Sequence, residues 1–462
     1  MKWMFTVLLS IVLLFAAEIM GQAPTDRALS TSLDSLLNAN FKPAEPGMVV
    51  LAVRKGKVVY RKAFGSANLE QGVPLKPDMI FRIGSITKQF TAIGILQLAE
   101  QGKLKLSDSV QQYVLDFPAK GHTITIEHLL THTSGIPDYM AIDHPDPYIE
   151  RHDVTLSFII NHFKNAPLSF APGTRFGYTN SGYTLLGYII EKVSGQKYHD
   201  YIQKEVLDKA GLKHTFYANE MTIVPGRVNG YTRDKGFYQN TYYQTLSLGY
   251  ACGDLLSNVD DLYAWNQALL AGKLVKRETL EKAFTPYKLQ NGTVTNYGYG
   301  WNVGNMHGTL CIKHEGQVSG FISMESYFPK EDVFVAMLTN VKSGEDRTDF
   351  SDKRFRLFSQ VPRTVLGNLF PKAVAVPDAV LDTYTGKYQT VSGKKTIVIK
   401  RKGHTLYMVD GMEFGMHALS ERRFYVMDVP AEIFVEFISD SAGKVTGLIV
   451  EQNGRYEWKK IE

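Results

Sequence analysis

At 462 residues the chain exceeds one ordinary domain and has room for two or three. Its 44% apolar and 21% charged residues are those of a globular protein and exclude a disordered polymer. The net charge of +5, spread without a Lys/Arg cluster, offers no footing for a nucleic-acid partner.

Residues 1–21 read as a secretory signal peptide. A basic Met1-Lys-Trp end is followed by an apolar run from Met4 to Ala17 and a small-residue region near Gly21. The run falls short of the roughly 20 apolar residues of a membrane span. Export to the periplasm or the outside is therefore expected, with no integral span in the mature chain; an uncleaved amino-terminal anchor is the alternative. Cys252 and Cys311 read as two buried thiols, because a core of this size needs no disulfide.

The spacing of apolar residues predicts a helix over Arg27–Asn40, then strands Val49–Val53 and Val58–Tyr60 joined at Lys55-Gly56 as a hairpin. A second helix is expected from Ser85 to Gln101, apolar on most sides and hence buried in the middle of a domain, with Gly102 as its stop. From Pro118 to Ala271 the pattern is mainly helical. Strand signals return at Tyr297–Trp301, Leu310–Lys313, Phe321–Phe328 and Val333–Leu338. Strands at both ends with helices between imply an antiparallel sheet built from both ends of the region and carrying a helical insertion.

Residues near Val341 to Ala375 read as a helical or irregular connector. Beyond Val376, short strands separated by turns such as Lys402-Gly403 and Ala442-Gly443 imply a small all-β barrel or sandwich. The expected organisation is thus 25–345 for the main domain, 346–375 for a connector and 376–462 for a β domain.

One decapeptide carries chemistry: Phe81-Arg-Ile-Gly-Ser-Ile-Thr-Lys-Gln-Phe90. Ser85 lies three residues before Lys88, which sets both side chains on one helical face. A partly desolvated lysine can take the proton of a serine hydroxyl, and a helix start aims free N–H groups at developing negative charge. Alone, the pair is a weak signal and reads first as a capping serine and a solvated lysine. Three further segments change that reading. Phe176–Tyr183 offers Tyr178 and Asn180 two apart, Lys313–Phe321 places His314-Glu-Gly316 on a strand, and Leu129–Asp138 contains Thr-His-Thr-Ser-Gly. His128 and His132, four apart, could ligate zinc, but no third ligand cluster accompanies them; His132 reads instead as ordering the Thr-Ser-Gly loop.

Taken together and in this order, these motifs resemble the serine β-lactamase and penicillin-binding DD-peptidase family, in its class C and carboxypeptidase branch. The resemblance spans roughly residues 30 to 340. It implies an α/β (α+β) β-lactamase/transpeptidase-like fold: an antiparallel sheet flanked by helices, plus a helical subdomain. It further implies that Ser85 is the nucleophile of an acyl-enzyme and that Lys88 and Tyr178 handle its proton. Asn180 would hold the substrate amide or orient Lys88, and His314 would support Tyr178 or add positive charge. The backbone N–H groups of Ser85 and of Gln317, after Gly316, would form the oxyanion hole. No metal or cofactor is implied.

Glu315 departs from the family, which usually has a hydroxyl residue there to contact a substrate carboxylate. A glutamate facing the pocket would repel an anion, weakening preference for a terminal carboxylate, unless strand alternation turns it away. Tyr384–Tyr388 and Gly443–Leu448 resemble a lipocalin-like β domain appended to the family, either a stabilising module or a cover for the pocket mouth. The implied substrate is a small molecule or a peptide, with peptidoglycan-type or D-amino-acid peptides first, esters second and β-lactams third. A penicillin-binding sensor that acylates without turnover is the alternative. The oligomeric state is left open.

Overall fold

A computed structural model describes residues 27–146, 148–217, 221–343, 353–367, 373–391, 393, 395–410, 412–427, 429, 433–452 and 455–462. The expected signal peptide lies outside the described residues.

The centre is a six-stranded antiparallel sheet ordered Asn302–Met306, Thr309–Val318, Phe321–Phe328, Val333–Thr339, Met48–Arg54, Lys57–Phe64. The amino-terminal hairpin closes onto the late strands in the register Met48↔Thr339 through Arg54↔Val333. Lys55 and Gly56 both take left-handed backbone angles at the hairpin turn (φ 50 and 72), which matches the twist of the two strands.

Strand alternation divides the sheet into two unlike faces. Val49, Leu51, Val53, Phe334, Ala336 and Leu338 face the helical region and merge with its core. Met48, Val50, Ala52, Val333, Val335 and Met337 face the other way, against the helices Arg27–Asn38 and Leu357–Leu366. The helix Thr87–Glu100 is buried on all sides along Thr87–Leu98, as its lack of a polar face predicts; Phe90 stacks on Trp265 at 4.1 Å.

Two expectations fail. Tyr297–Trp301 is not a strand but a turn with one bridge from Tyr297 to Asn302. Gly300 adopts φ 96 there, and a Cβ on it would lie 3.1 Å from the methyl of Ala92, so the chain bends tightly over the Thr87–Glu100 helix. The stretch 118–271 is less helical than expected. It contains the hairpin Tyr231–Asp234/Phe237–Asn240 and the strand Leu255–Ser257, which pairs with Phe81–Arg82. Cys252 and Cys311 are both buried free thiols, on different sides of the sheet.

Eight further strands, from Gly386–Thr390 to Arg455–Lys460, close into a barrel. Its interior is filled with side chains, including Tyr388, Leu406, Val435 and Leu448, and Tyr384 stacks on Phe437 at 4.0 Å. The Leu357–Leu366 helix and the turn before it reach this barrel. Arg356 donates to the Glu413 carbonyl at 2.7 Å, and Arg363 to Met427 Sδ at 3.8 Å. These contacts run from the side of the sheet opposite the Thr87–Glu100 helix.

Candidate active site

The short strand Phe81–Arg82 leads into a 3₁₀ turn at Gly84–Ile86 and then into the helix Thr87–Glu100. Ser85 therefore sits in the turn and Lys88 in the first helical turn. The Lys88 side chain is fully buried, and its Nζ donates to Ser85 Oγ at 3.0 Å, Asn180 Oδ1 at 2.8 Å and the Cys252 carbonyl at 3.0 Å. Asn180 opens the helix Asn180–Ser194 and is itself held in place: its Nδ2 donates to Asp138 Oδ2 at 3.0 Å and to Met140 Sδ at 3.5 Å. That leaves its oxygen directed at the lysine.

Tyr178 precedes the same helix by two residues. The residue is 40% exposed, while its hydroxyl meets Lys88 and Ser85. Burial of the hydroxyl raises the phenol pKa; the Lys88 charge and the hydrogen bonds with Lys88 and Ser85 pull against that rise without cancelling it. The phenol is neutral at rest.

His132 stands behind Tyr178, with ring centroids 4.2 Å apart, and also meets Tyr297 at 4.7 Å and Tyr183 at 5.1 Å. Its Nδ1 accepts the Thr179 N–H at 3.2 Å, and its backbone takes φ 56. The ring thus orders the segment that carries Tyr178. His128 has a separate task, closing a capping box with Thr125 at the start of the helix Ile126–Leu130. Among the described residues no group of three or more His, Cys, Asp or Glu is placed to hold a metal ion.

His314 faces the same aromatic cluster from the Thr309–Val318 strand, its ring 6.3 Å from that of Tyr178. Burial first, then the nearby Lys88 charge, push its pKa down to about 3, so it is neutral and adds no positive charge to the pocket. Its Nδ1 donates to the Glu315 carbonyl at 2.6 Å, which leaves Nε2 to accept the Tyr297 hydroxyl at 2.8 Å. Tyr297 links His314 to His132. It is a site residue that the sequence reading missed, because no motif marks it and it fell within an expected strand.

Glu315 points to the opposite face, as alternation requires. Its carboxylate is 44% exposed and pairs with Lys313, two residues before it on the same face, at 2.6 Å. The expected repulsion of a substrate carboxylate thus has no source at Glu315. Next to it, Gly316 lies against the turn that holds Ser85: a Cβ there would come within 1.9 Å of the Ile83 carbonyl oxygen. Ser323 Oγ also donates to that carbonyl at 2.7 Å. A Cβ on Gly84 would lie 2.7 Å from Gln317 N. This approach brings the Gln317 N–H alongside the Ser85 turn.

A cleft spanning about 550 Å³, including space open to solvent, opens beside Ser85, with walls that include Arg82, Met140, Asn180, Gln244, Gln317 and Lys342. Among the described residues the barrel contributes nothing to these walls. Behind the site, Glu325 stands opposite His314 in the strand register. It accepts a hydrogen bond from Gln89 Nε2, and Gln89 Oε1 takes the Trp265 indole N–H at 2.8 Å. Burial raises the Glu325 carboxyl to about 7. No feature of the sequence marked this pair.

A beta-lactamase family model matches residues 33–357. Penicillin-binding protein 4* of Bacillus subtilis is 29% identical over 418 residues, covering 85% of this chain and 90% of that relative. The putative penicillin-binding protein PbpX of the same organism is 32% identical over 311 residues, covering 67% of this chain and 74% of its own length. Among solved structures, an octameric penicillin-binding protein homologue from Pyrococcus abyssi superposes with a TM-score of 0.61 at 28% identity, covering 94% of this chain and all of that one. A D-amino acid amidase from Ochrobactrum anthropi shares the fold, with a TM-score of 0.63 at 22% identity over 75% of this chain and 98% of its own. The chain belongs to the beta-lactamase family and is a serine hydrolase of that fold.

Proposed function

We propose that the protein is exported and cleaves amide bonds of D-amino-acid or peptidoglycan-type peptides through an acyl-enzyme on Ser85. The observation that carries this reading is Lys88 Nζ, buried and held between Ser85 Oγ at 3.0 Å and Asn180 Oδ1 at 2.8 Å. Hydrogen bonds to Asn180 Oδ1 and the Cys252 carbonyl fix Lys88 Nζ beside Ser85; to act as base the amine must first shed the proton it directs at Ser85 Oγ, and its lone pair then faces the Ser85 hydroxyl. Lys88 takes the proton as Ser85 Oγ bonds to the carbonyl carbon. The Ser85 and Gln317 N–H groups receive the charge that develops on the carbonyl oxygen, each such donor being worth about 3 kcal/mol in related chemistry.

Collapse of the tetrahedral adduct breaks the bond to the leaving nitrogen. Tyr178, a neutral phenol, protonates it and recovers a proton from Lys88. Water then attacks the ester on Ser85, activated by the same pair, and the acid departs. His314 and Tyr297 act through Tyr178, fixing its ring rather than touching the substrate.

Substrate class is supported by the two Bacillus relatives, both named as penicillin-binding proteins, and export by the pattern of residues 1–21. The test is a panel of D-Ala-D-Ala peptides, D-amino-acid amides, p-nitrophenyl esters and a chromogenic cephalosporin on wild type and Ser85→Ala. Peptides or amides should exceed the cephalosporin at least tenfold in kcat/KM, with all turnover lost in the variant. Preference for the cephalosporin, or no turnover of any D-configured substrate, would overturn the reading.

A further inference from the structure

A second cavity adjoins the catalytic cleft. It spans about 410 Å³, including space open to solvent, and shares one wall residue, Met140, with the cleft beside Ser85. Its other walls are mainly apolar: Ile142, Ile149, Phe158, Ile159 and Leu248. The polar groups around it are already committed elsewhere. Glu150 accepts from Tyr242 Oη at 2.8 Å and Gln244 Nε2 at 3.3 Å, and His162 Nε2 donates to the Ile142 carbonyl at 3.2 Å. His144 Nδ1 accepts the Asp146 N–H at 3.0 Å. The cavity is lined mainly by hydrocarbon, with these polar side chains at its edge, so it favours an apolar occupant.

The partition between the two spaces is thin and connected to the chemistry. Met140 Sδ receives a hydrogen bond from Asn180 Nδ2 at 3.5 Å, the same amide whose oxygen meets Lys88. Tyr242 and Gln244, which hold Glu150, themselves line the cleft. Methionine is unbranched and flexible, so a rotation of its side chain that gives up the Asn180 contact would open one space to the other.

The geometry points to this cavity as the binding pocket for an apolar side chain or alkyl group on the acyl half of the substrate, the half that stays on Ser85. The choice of half follows from the walls. A leaving group must face Tyr178 to be protonated, yet the cleft containing Met140 is lined by Ser85 and Asn180 and, among the described residues, not by Tyr178. The acyl half therefore extends past Asn180 towards Met140. This inference rests on the Ser85 acyl-enzyme proposed above and adds the substrate feature that selects among amides and esters.

Acyl-chain dependence with p-nitrophenyl acetate, butyrate, hexanoate and octanoate tests it, because only the transferred group varies. Burying a methylene is worth about fourfold, so wild-type kcat/KM should rise at least tenfold from acetate to hexanoate. In Ile142→Trp, which fills the pocket from its half-buried rim, the hexanoate-to-acetate ratio should fall to within about twofold of one. Phe158→Ala, on the exposed edge, should move the optimum to a longer chain. A wild-type ratio near one, or an unchanged ratio in Ile142→Trp that still melts cooperatively, would overturn the pocket and leave the acyl-enzyme intact. Absence of Ser85-dependent turnover on every ester and amide would overturn both.

Discussion

The two faces of the central sheet are built from the same strands and differ in what they bury. One face meets the helices Arg27–Asn38 and Leu357–Leu366 through Leu29, Leu33, Leu37, Val361 and Val365, an apolar seam. The other meets the helix Thr87–Glu100 and buries Lys88, Gln89, Thr91, His314 and Glu325 among its apolar residues. Burying such groups is costly unless each finds partners. Here each does: Lys88 between Ser85 and Asn180, Gln89 and Glu325 with Trp265, Thr91 with Tyr198 and the Ala251 carbonyl, and His314 with Tyr297 and the Glu315 carbonyl. The apolar face supplies stability; the polar face holds positions for chemistry at some cost in stability. The barrel joins the apolar side, and among the described residues none of it lines the cleft.

This contrast can be broken at graded strength. The largest effect should come from the polar face: Lys88→Met removes the proposed base and should lower kcat about 10³-fold, measured on an activated ester, while thermal melting stays cooperative. On the apolar face, Leu33→Ala should cost about 3 kcal/mol in urea denaturation and leave kcat of the folded enzyme within about twofold.

Glu325 tests the cost of the polar face through pH. Its folded pKa of about 7 lies above its ordinary value of 4.5, so the native state holds the proton more tightly. The stabilisation is complete below about pH 4.5 and is lost as pH rises through 7, a fall of about 3 kcal/mol across that window. Glu325→Gln should flatten that fall, which denaturation at pH 5, 6, 7 and 8 would show. An unchanged slope would mean that Glu325 does not titrate in this window.

Smaller effects should follow further out. Tyr297→Phe strands His314 Nε2 without its donor and should cost about 1–3 kcal/mol, with a several-fold drop in kcat and little change in KM. Glu315→Thr should leave the ratio of kcat/KM for carboxylate-bearing and carboxylate-free substrates within about twofold. A larger shift would place Glu315 in the pocket after all.

Local and periodic signals made much of this legible. The Lys55-Gly56 turn, the helix Thr87–Glu100 with its apolar residues on most sides and the short strands beyond Val376 all appear in the structure where their patterns stand. Ser85, Lys88 and Asn180 are brought together as their motifs imply. What was not legible depends on contacts between distant segments. Tyr297 joins the site only because Gly300 bends the chain over a helix 200 residues earlier in sequence, so its strand-like composition misleads. The Gln89–Glu325 pair is 236 residues apart and carries no local mark. Other misses had a signal: Lys235-Gly236 repeats the dipeptide of the first hairpin, with φ 45 and 91, and turns the overlooked hairpin Tyr231–Asn240. The orientation of Glu315 needed only the strand's extent, since alternation from buried His314 settles it.

The most direct test of the polar face as a catalytic centre is mass spectrometry of the intact protein quenched during turnover of a slow ester or β-lactam, followed by peptide mapping. The expected result is one acyl adduct on Ser85 in the wild type, none in Ser85→Ala, and accumulation of the adduct when Tyr178→Phe slows its release. An adduct on another residue, or undiminished turnover in Ser85→Ala, would contradict it.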